Sequence, residues 1–260
     1  MEEIAALRAA EWLFAEHQAG HRFTTLEPQR APSTIPDAYD IQDRYVALLR
    51  ERIGQPMGYK IGLTSATMQA FCRIDHPIAG VVLAQRIHQS GAPIKRSDYG
   101  RLGLEFEIAV RIKSDVPATT ASTAETVAPH IDGVCAAIEL VDDRAADYAN
   151  LDVRSLVADN SWNGGIVLSP FVSTWPDLSS VRGRARSETN VLGEGHGRDI
   201  LGHPFNSVAW LANHLASRGT TLKAGEIVMT GSIVKTVFPE QAAHYRFDLE
   251  GVGFVEVQVT

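Results

Sequence analysis

Hydrophobic positions change their spacing near residue 55. Before that point they recur every three or four residues. Residues 3–19 carry such a pattern up to Gly20, which predicts a helix. The stretch STIPDAYDIQDRYVALLRERIG predicts a second, with Pro36 in its first turn, a stripe of Ile41, Tyr45, Leu48 and Leu49, and Gly54 as its stop. Beyond residue 55 short apolar runs bounded by turn residues take over. MGYKIGL, IAGVVL, GGIVLSP, EIVMTG and GFVEVQV predict strands, and VCAAIELVDD predicts a buried strand ending in acids. Helices interrupt them: a short one capped near Ser65, one opened by a capping box of Ser122 with Glu125, and NSVAWLANHLASRG with Val208, Leu211, Ala212 and Leu215 on one face. The succession is α+β rather than regular βαβ alternation. It divides at 1–55, a helical N-terminal part, and 56–260, a strand-rich part.

The run LGLEFEIAVRI, residues 102–112, alternates strictly. Leu104, Phe106, Ile108, Val110 and Ile112 share one face; Glu105, Glu107, Ala109 and Arg111 share the other. Alternation of this kind predicts one buried and one wet face. Two carboxylates two residues apart on a strand face repel, and glutamate is a poor strand former. A solvated face accounts for them, and so does a hard cation that binds both. Glu139, alone between Ile138 and Leu140 in an apolar strand, is a third acid that burial leaves in need of a partner. Three oxygen donors without histidine or cysteine at ligand spacing favour magnesium or manganese over zinc.

Composition narrows the classes. The 260 residues hold 24 basic and 31 acidic side chains, a net charge of -7, with no basic tract, which argues against a nucleic-acid partner. No apolar run approaches the ~18 residues of a membrane span. MEEIAALRAAEW is acidic and amphipathic, unlike a secretory signal. Cys72 and Cys135 form no CxxC pair, so the expected compartment is the cytoplasm. Other candidates have plain alternatives. Lys60, in an apolar strand between glycines, is either an edge gatekeeper or a cation aimed into a pocket. Thr230-Gly231-Ser232 is either a turn or a place where backbone N–H groups approach a carboxylate. Asp159, Asn160, Ser161 and Asn163 read as turn chemistry, and His76, His203 and His214 as surface or packing groups. GxSxG, P-loop and GxGxxG motifs are absent.

Taken in order, GYKIGLTS, DHPIAGVVL, LEFEIAVRI, AAIELVDDR, VADN, LGHPFNSVAWLANHLASRG and GEIVMTGS resemble the hydratase/decarboxylase branch of the fumarylacetoacetate hydrolase superfamily, from about residue 36 to the C-terminus. The resemblance implies a mixed β-roll with a small helical N-terminal part, working as a homo-oligomer. It implies Mg²⁺ or Mn²⁺ on Glu105, Glu107 and Glu139, and Lys60 at the substrate. It implies a substrate-binding group of Leu83, Asn160, Ser161, Thr230, Gly231 and Ser232. The substrate is then a small 2-oxo or 2-hydroxydienoic acid of aromatic catabolism, processed through an enolate whose charge the ion stabilises.

Hydration of the 2-keto-4-pentenoate type stands first. Decarboxylation of a 2-oxo diacid is the alternative. Hydrolytic cleavage of an acylpyruvate, for which Glu16-His17 and His21 are the candidate acid-histidine groups, and non-catalytic binding of a small acid stand behind it. One position departs from the hydratase motif. Where hydratases carry an aspartate after proline, this chain reads Pro77-Ile78-Ala79-Gly80, which leaves Asp75 and His76 as candidate proton carriers. Trp162 is bulky where it follows the Asn-Ser pair, and Arg73, Arg144 and Arg154 are candidates for a second substrate carboxylate.

Overall fold

The computed structural model describes residues 1–118, 121–188 and 190–260. Helices α1 (Glu3–Gln18) and α2 (Ile35–Ile53) open the chain. Thr34 starts α2: its hydroxyl accepts from the Asp37 N–H while the Asp37 carboxylate accepts from the Thr34 N–H. Strand β1 (Pro56–Gly62), helix α3 (Ala66–Cys72) and strand β2 (Ile78–Leu83) follow, with the Ser65 hydroxyl capping α3. Next come β3 (Ile87–Gln89), β4 (Pro93–Ile94), β5 (Leu102–Ile112), α4 (Ala124–Val127) and β6 (Ile131–Asp142). Then α5 (Val153–Ala158), β7 (Asn163–Leu168), β8 (Arg182–Ser187), β9 (Asn190–His196) and α6 (Pro204–Ser217). Strands β10 (Ile227–Ser232), β11 (Ala243–Leu249) and β12 (Gly253–Val259) close the chain.

Two helix starts differ from expectation. The capping residue of α4 is Thr123, one place later than Ser122, and its partner is Thr126; Glu125 instead accepts from the Thr123 hydroxyl. Helix α6 begins at Pro204, where the ring nitrogen of His203 accepts from the Phe205 N–H.

The strands form a seven-stranded sheet in the order β2-β1-β10-β5-β6-β7-β3 and a five-stranded sheet in the order β4-β12-β11-β8-β9. Both are mixed: β1 runs parallel to β10 and β12 parallel to β4, while β5, β6 and β7 are antiparallel. The larger sheet rolls until β2 comes back against β7. The Asn160 amide bridges the gap by accepting from the Val81 N–H at 2.7 Å and donating to the Val81 carbonyl at 2.9 Å. Gly80 makes this possible, since a β-carbon there would stand 2.5 Å from the Asn160 carbonyl oxygen. This is the α+β mixed roll expected.

Rolling buries both faces of β5. Leu104, Phe106, Ile108 and Val110 enter a core shared with Leu13 of α1, Ile41 of α2 and Phe247 of β11. Ala109 packs with Cys135, Ala137 and Met229 on the other side. The face expected to be wet is therefore covered at its centre: Glu107 and Ala109 are 0 % exposed, while Glu105 and Arg111 are half-buried.

Candidate metal centre

Strands β5 and β6 pair so that Glu105 lies directly opposite Glu139, and Glu107 opposite Ala137. The pleat turns all three carboxylates to one side, where an oxygen from each lies within 4.8 Å of the others. Lys60 arrives from β1. Its Nζ stands 3.2 Å from Glu139 Oε1 with the side chain almost wholly buried, so it is no edge gatekeeper.

Each carboxylate has one oxygen held from outside the cluster. Thr236 Oγ1 donates to Glu105 Oε1 at 2.6 Å, the Gly231 N–H to Glu107 Oε2 at 2.9 Å, and Asn163 Nδ2 to Glu139 Oε1 at 3.0 Å. Gly231 reaches Glu107 because its φ of +117° suits glycine and because a β-carbon would stand 2.4 Å from Thr64 Oγ1. Two oxygens, Glu107 Oε1 and Glu139 Oε2, are buried without any partner.

Three acids facing one ammonium leave negative charge in excess. Burial, then Glu139 and Glu105, push the Glu107 carboxyl well above its usual range, against the pull of the Gly231 N–H and Lys60. Burial likewise raises Glu139 to about 7, opposed by Lys60 and aided by Glu105. For Lys60, burial favours the neutral amine, but Glu139, Glu105 and Glu107 outweigh it and hold the ammonium. Unpaired buried carboxylate oxygens are costly, and a divalent cation removes the cost. The all-oxygen donor set fits Mg²⁺ or Mn²⁺.

The cluster meets, through Lys60 and Glu105, a cavity of about 520 Å³ walled largely by Ile78, Val141, Leu151, Leu156 and Trp162. Ser161 and Ser232 line it too; the Ser161 hydroxyl donates to the Ala79 carbonyl, and Ser232 Oγ accepts from the Phe106 N–H. Ile78 pairs with Gly62, two residues beyond Lys60, so it shares the Lys60 face of the β1–β2 pair and lines the cavity.

Other expected site residues lie elsewhere. Asp75 is exposed, and His76 stacks on Trp210 in a separate groove with its Nδ1 on the Pro77 carbonyl, because the chain turns before β2 and sends Ile78 inward. Leu83 is buried at the far end of β2, opposite Pro56. Thr230 is buried with its hydroxyl on the Ile108 carbonyl, and the Gly231 N–H is taken by Glu107. Asn160 is committed to Val81.

Arg144 is buried against Asp159, and Arg73 and Arg154 line a neighbouring groove. Among the described residues, the cationic side chains lining the cavity are Lys60 and Lys235. At the N-terminus, Glu16 pairs with His21 at the surface and His17 Nε2 sits 2.5 Å from Asp159 Oδ1; none of the three lines the cavity. Thr236 and Asn163 were not foreseen as site residues. Thr236 gives no signal beyond its place after the Thr-Gly-Ser turn, and Asn163 is hidden among turn formers.

A model of the fumarylacetoacetate (FAA) hydrolase C-terminal family matches residues 63–260. The chain is 32% identical over 252 residues to a 2-keto-4-pentenoate hydratase of Burkholderia vietnamiensis, covering 94% of each chain. It is 30% identical to a 4-oxalocrotonate decarboxylase of Pseudomonas putida, covering 92% of this chain and 89% of that one. Among solved structures, a 4-oxalocrotonate decarboxylase from Pseudomonas putida, complexed with magnesium and adipate, superposes with a TM-score of 0.92 at 27% identity, covering 100% of this chain and 99% of the other.

Proposed function

The chain belongs to the fumarylacetoacetate hydrolase family, and from that premise we propose that it is a divalent-metal-dependent lyase of small 2-oxo or 2-hydroxydienoic acids, with hydration of the 2-keto-4-pentenoate type as its reaction. One observation carries the proposal: three carboxylates, two of them with a partnerless oxygen, converge with a buried lysine behind a largely apolar cavity that Glu105 and Lys60 line. Glu105, Glu107 and Glu139 would hold Mg²⁺ or Mn²⁺, and the ion would supply positive charge to stabilise negative charge developing on the substrate.

The protein's own groups do the rest. The Lys60 ammonium, kept charged by three acids, faces the same charge and can donate a proton to the adjacent carbon. The apolar wall takes the hydrocarbon end of the acid and keeps water sparse around the charged end. The helical part, 1–55, buttresses the catalytic part, 56–260, through His17, which holds Asp159 just before the site loop. The two free cysteines suit the cytoplasm, and a homo-oligomer is the expected working form.

A second reading, decarboxylation of a 2-oxo diacid, is favoured by Ile78. The position lines the cavity and offers no proton, so water addition lacks the acid that hydratases place there. The test is a panel of 2-oxo and 2-hydroxydienoic acids assayed with Mg²⁺ and with EDTA, with products identified by mass. Turnover of the diene to a hydrated product supports the first reading, and CO₂ release the second. Turnover undiminished in EDTA would refute both.

A further inference from the structure

The donors around Glu139 are unequal in kind. Lys60 Nζ and Asn163 Nδ2 both address Oε1, at 3.2 and 3.0 Å, and leave Oε2 buried and unpartnered. An ammonium is a rotatable point charge that can follow either oxygen of a carboxylate. A side-chain amide on a strand is directional. Asn163 is the group that can tell Oε1 from Oε2.

The backbone before Asn163 is unusual. Asn160, Ser161 and Trp162 have φ of +50°, +49° and +59°, three adjacent left-handed residues with no glycine among them. Such conformations persist only where the surroundings over-determine them, and they concentrate at functional sites. Here the Asn160 amide clasps Val81, the Ser161 hydroxyl is tied to the Ala79 carbonyl, and Asp159 is anchored by Arg144 at 2.7 Å. The turn delivers Asn163 as the first residue of β7, on the strand next to Glu139.

We infer that Asn163 is a positioning residue: its amide holds Glu139 in the orientation that presents Oε2 to a divalent cation. The inference rests on the metal-centre reading above. It concerns a residue outside the ligand set that acts through Glu139 alone, as partners behind metal ligands commonly do.

The test is Mn²⁺ titration of the full-length protein followed by electron paramagnetic resonance, in wild type, Asn163→Ala, Glu139→Ala and the double variant. Asn163→Ala should weaken Mn²⁺ binding by about 10- to 100-fold. In the Glu139→Ala background, where there is no carboxylate to orient, the same change should leave the residual affinity unaltered. A general packing role would cost affinity in both backgrounds, so equal losses would overturn the inference. So would Asn163→Ala binding within about twofold of wild type. If Glu139→Ala leaves Mn²⁺ affinity untouched, the metal-centre reading falls, and this inference with it. Should Asn163→Ala fail to fold, Asn163→Ser, also too short to reach Glu139, is read against the same expectations.

Discussion

Replacing Glu107 by glutamine should make the metal-free protein more stable and the metal-loaded protein less so. Carboxylate oxygens of the cluster lie within 4.8 Å of one another. Two unit charges at that separation repel by roughly 3.5 kcal/mol at an effective dielectric of about 20. Glu107 faces two such neighbours and one attractive partner, Lys60. The attraction offsets part of the repulsion, and proton uptake by the raised carboxyls softens the remainder. Relief of ~2–3 kcal/mol is left for the ion-free state at pH 8.

Glutamine preserves the packing: its oxygen still accepts from the Gly231 N–H, and its amide can donate to the free Glu139 oxygen. Converted at about 2–4 °C per kcal/mol, the variant should melt roughly 5–10 °C above wild type in EDTA. Saturating Mg²⁺ reverses the order, because a ligand at about 1,000 times its Kd adds ~4.1 kcal/mol to wild type and little to a site stripped of one anionic oxygen. The assay is a thermal melt of both proteins at pH 8, in EDTA and in excess Mg²⁺. A variant that melts at or below wild type in EDTA, or that gains as much from Mg²⁺, would refute the charge argument.

Three further outcomes are expected. Lys60→Met should retain Mn²⁺ binding but lose at least about a hundredfold in turnover, the scale for a positioned charge or proton carrier; turnover near wild type would remove Lys60 from the chemistry. Ile78→Asp should raise hydration of 2-hydroxypenta-2,4-dienoate, followed by loss of the diene absorbance. Efficient hydration by wild type would show that no acid is needed at that position. For pH, Glu139 is pushed from 4.5 to about 7 by burial. The folded metal-free form therefore binds a proton that the unfolded chain has released, so stability falls as pH rises from about 4.5 through 7, by up to ~3 kcal/mol from this group. Urea melts in EDTA at pH 5.5 and 8 check it, and equal midpoints would contradict a Glu139 carboxyl raised by burial.

The parts of this protein that could be read in advance are those where one residue's environment follows from its immediate neighbours. The alternation of β5 exposed Glu105 and Glu107, and the isolation of Glu139 in β6 marked it as an acid needing company. What could not be read depends on the roll. Alternation predicts a wet face only for an open sheet, and here the closing of β2 onto β7 buries the face carrying Glu107. Neighbourhood along the chain also misled: Asp75 and His76 lie two or three residues from Ile78, yet only Ile78 lines the cavity. Strand β8 escaped notice for a different reason. RGRARS turns small residues inward, and Ala185 sits opposite Phe247 of β11, so burial is achieved without an apolar run. Strands β3 and β4, of 3 and 2 residues, leave no period at all.

The order of strands in the larger sheet also governs how the protein comes to exist. Lys60 lies opposite Met229 in the parallel β1–β10 pair, the glutamates come from the middle of the chain, and Asn160 must clasp Val81 across the closed roll. Contacts so distant in sequence demand that loop closure be met before any reward is collected, which makes for slow folding. The cation is not expected to act as an early nucleus, because two of the three proposed ligands are aimed by groups on or after β10, the Gly231 N–H and the Thr236 hydroxyl. A nascent chain that has emerged only as far as β7 holds every glutamate of the cluster yet lacks the Gly231 N–H and the Thr236 hydroxyl that aim two of them. With those glutamates as ligands, metal capture is expected late in folding: refolding rates should be nearly blind to Mg²⁺ while unfolding rates slow in its presence.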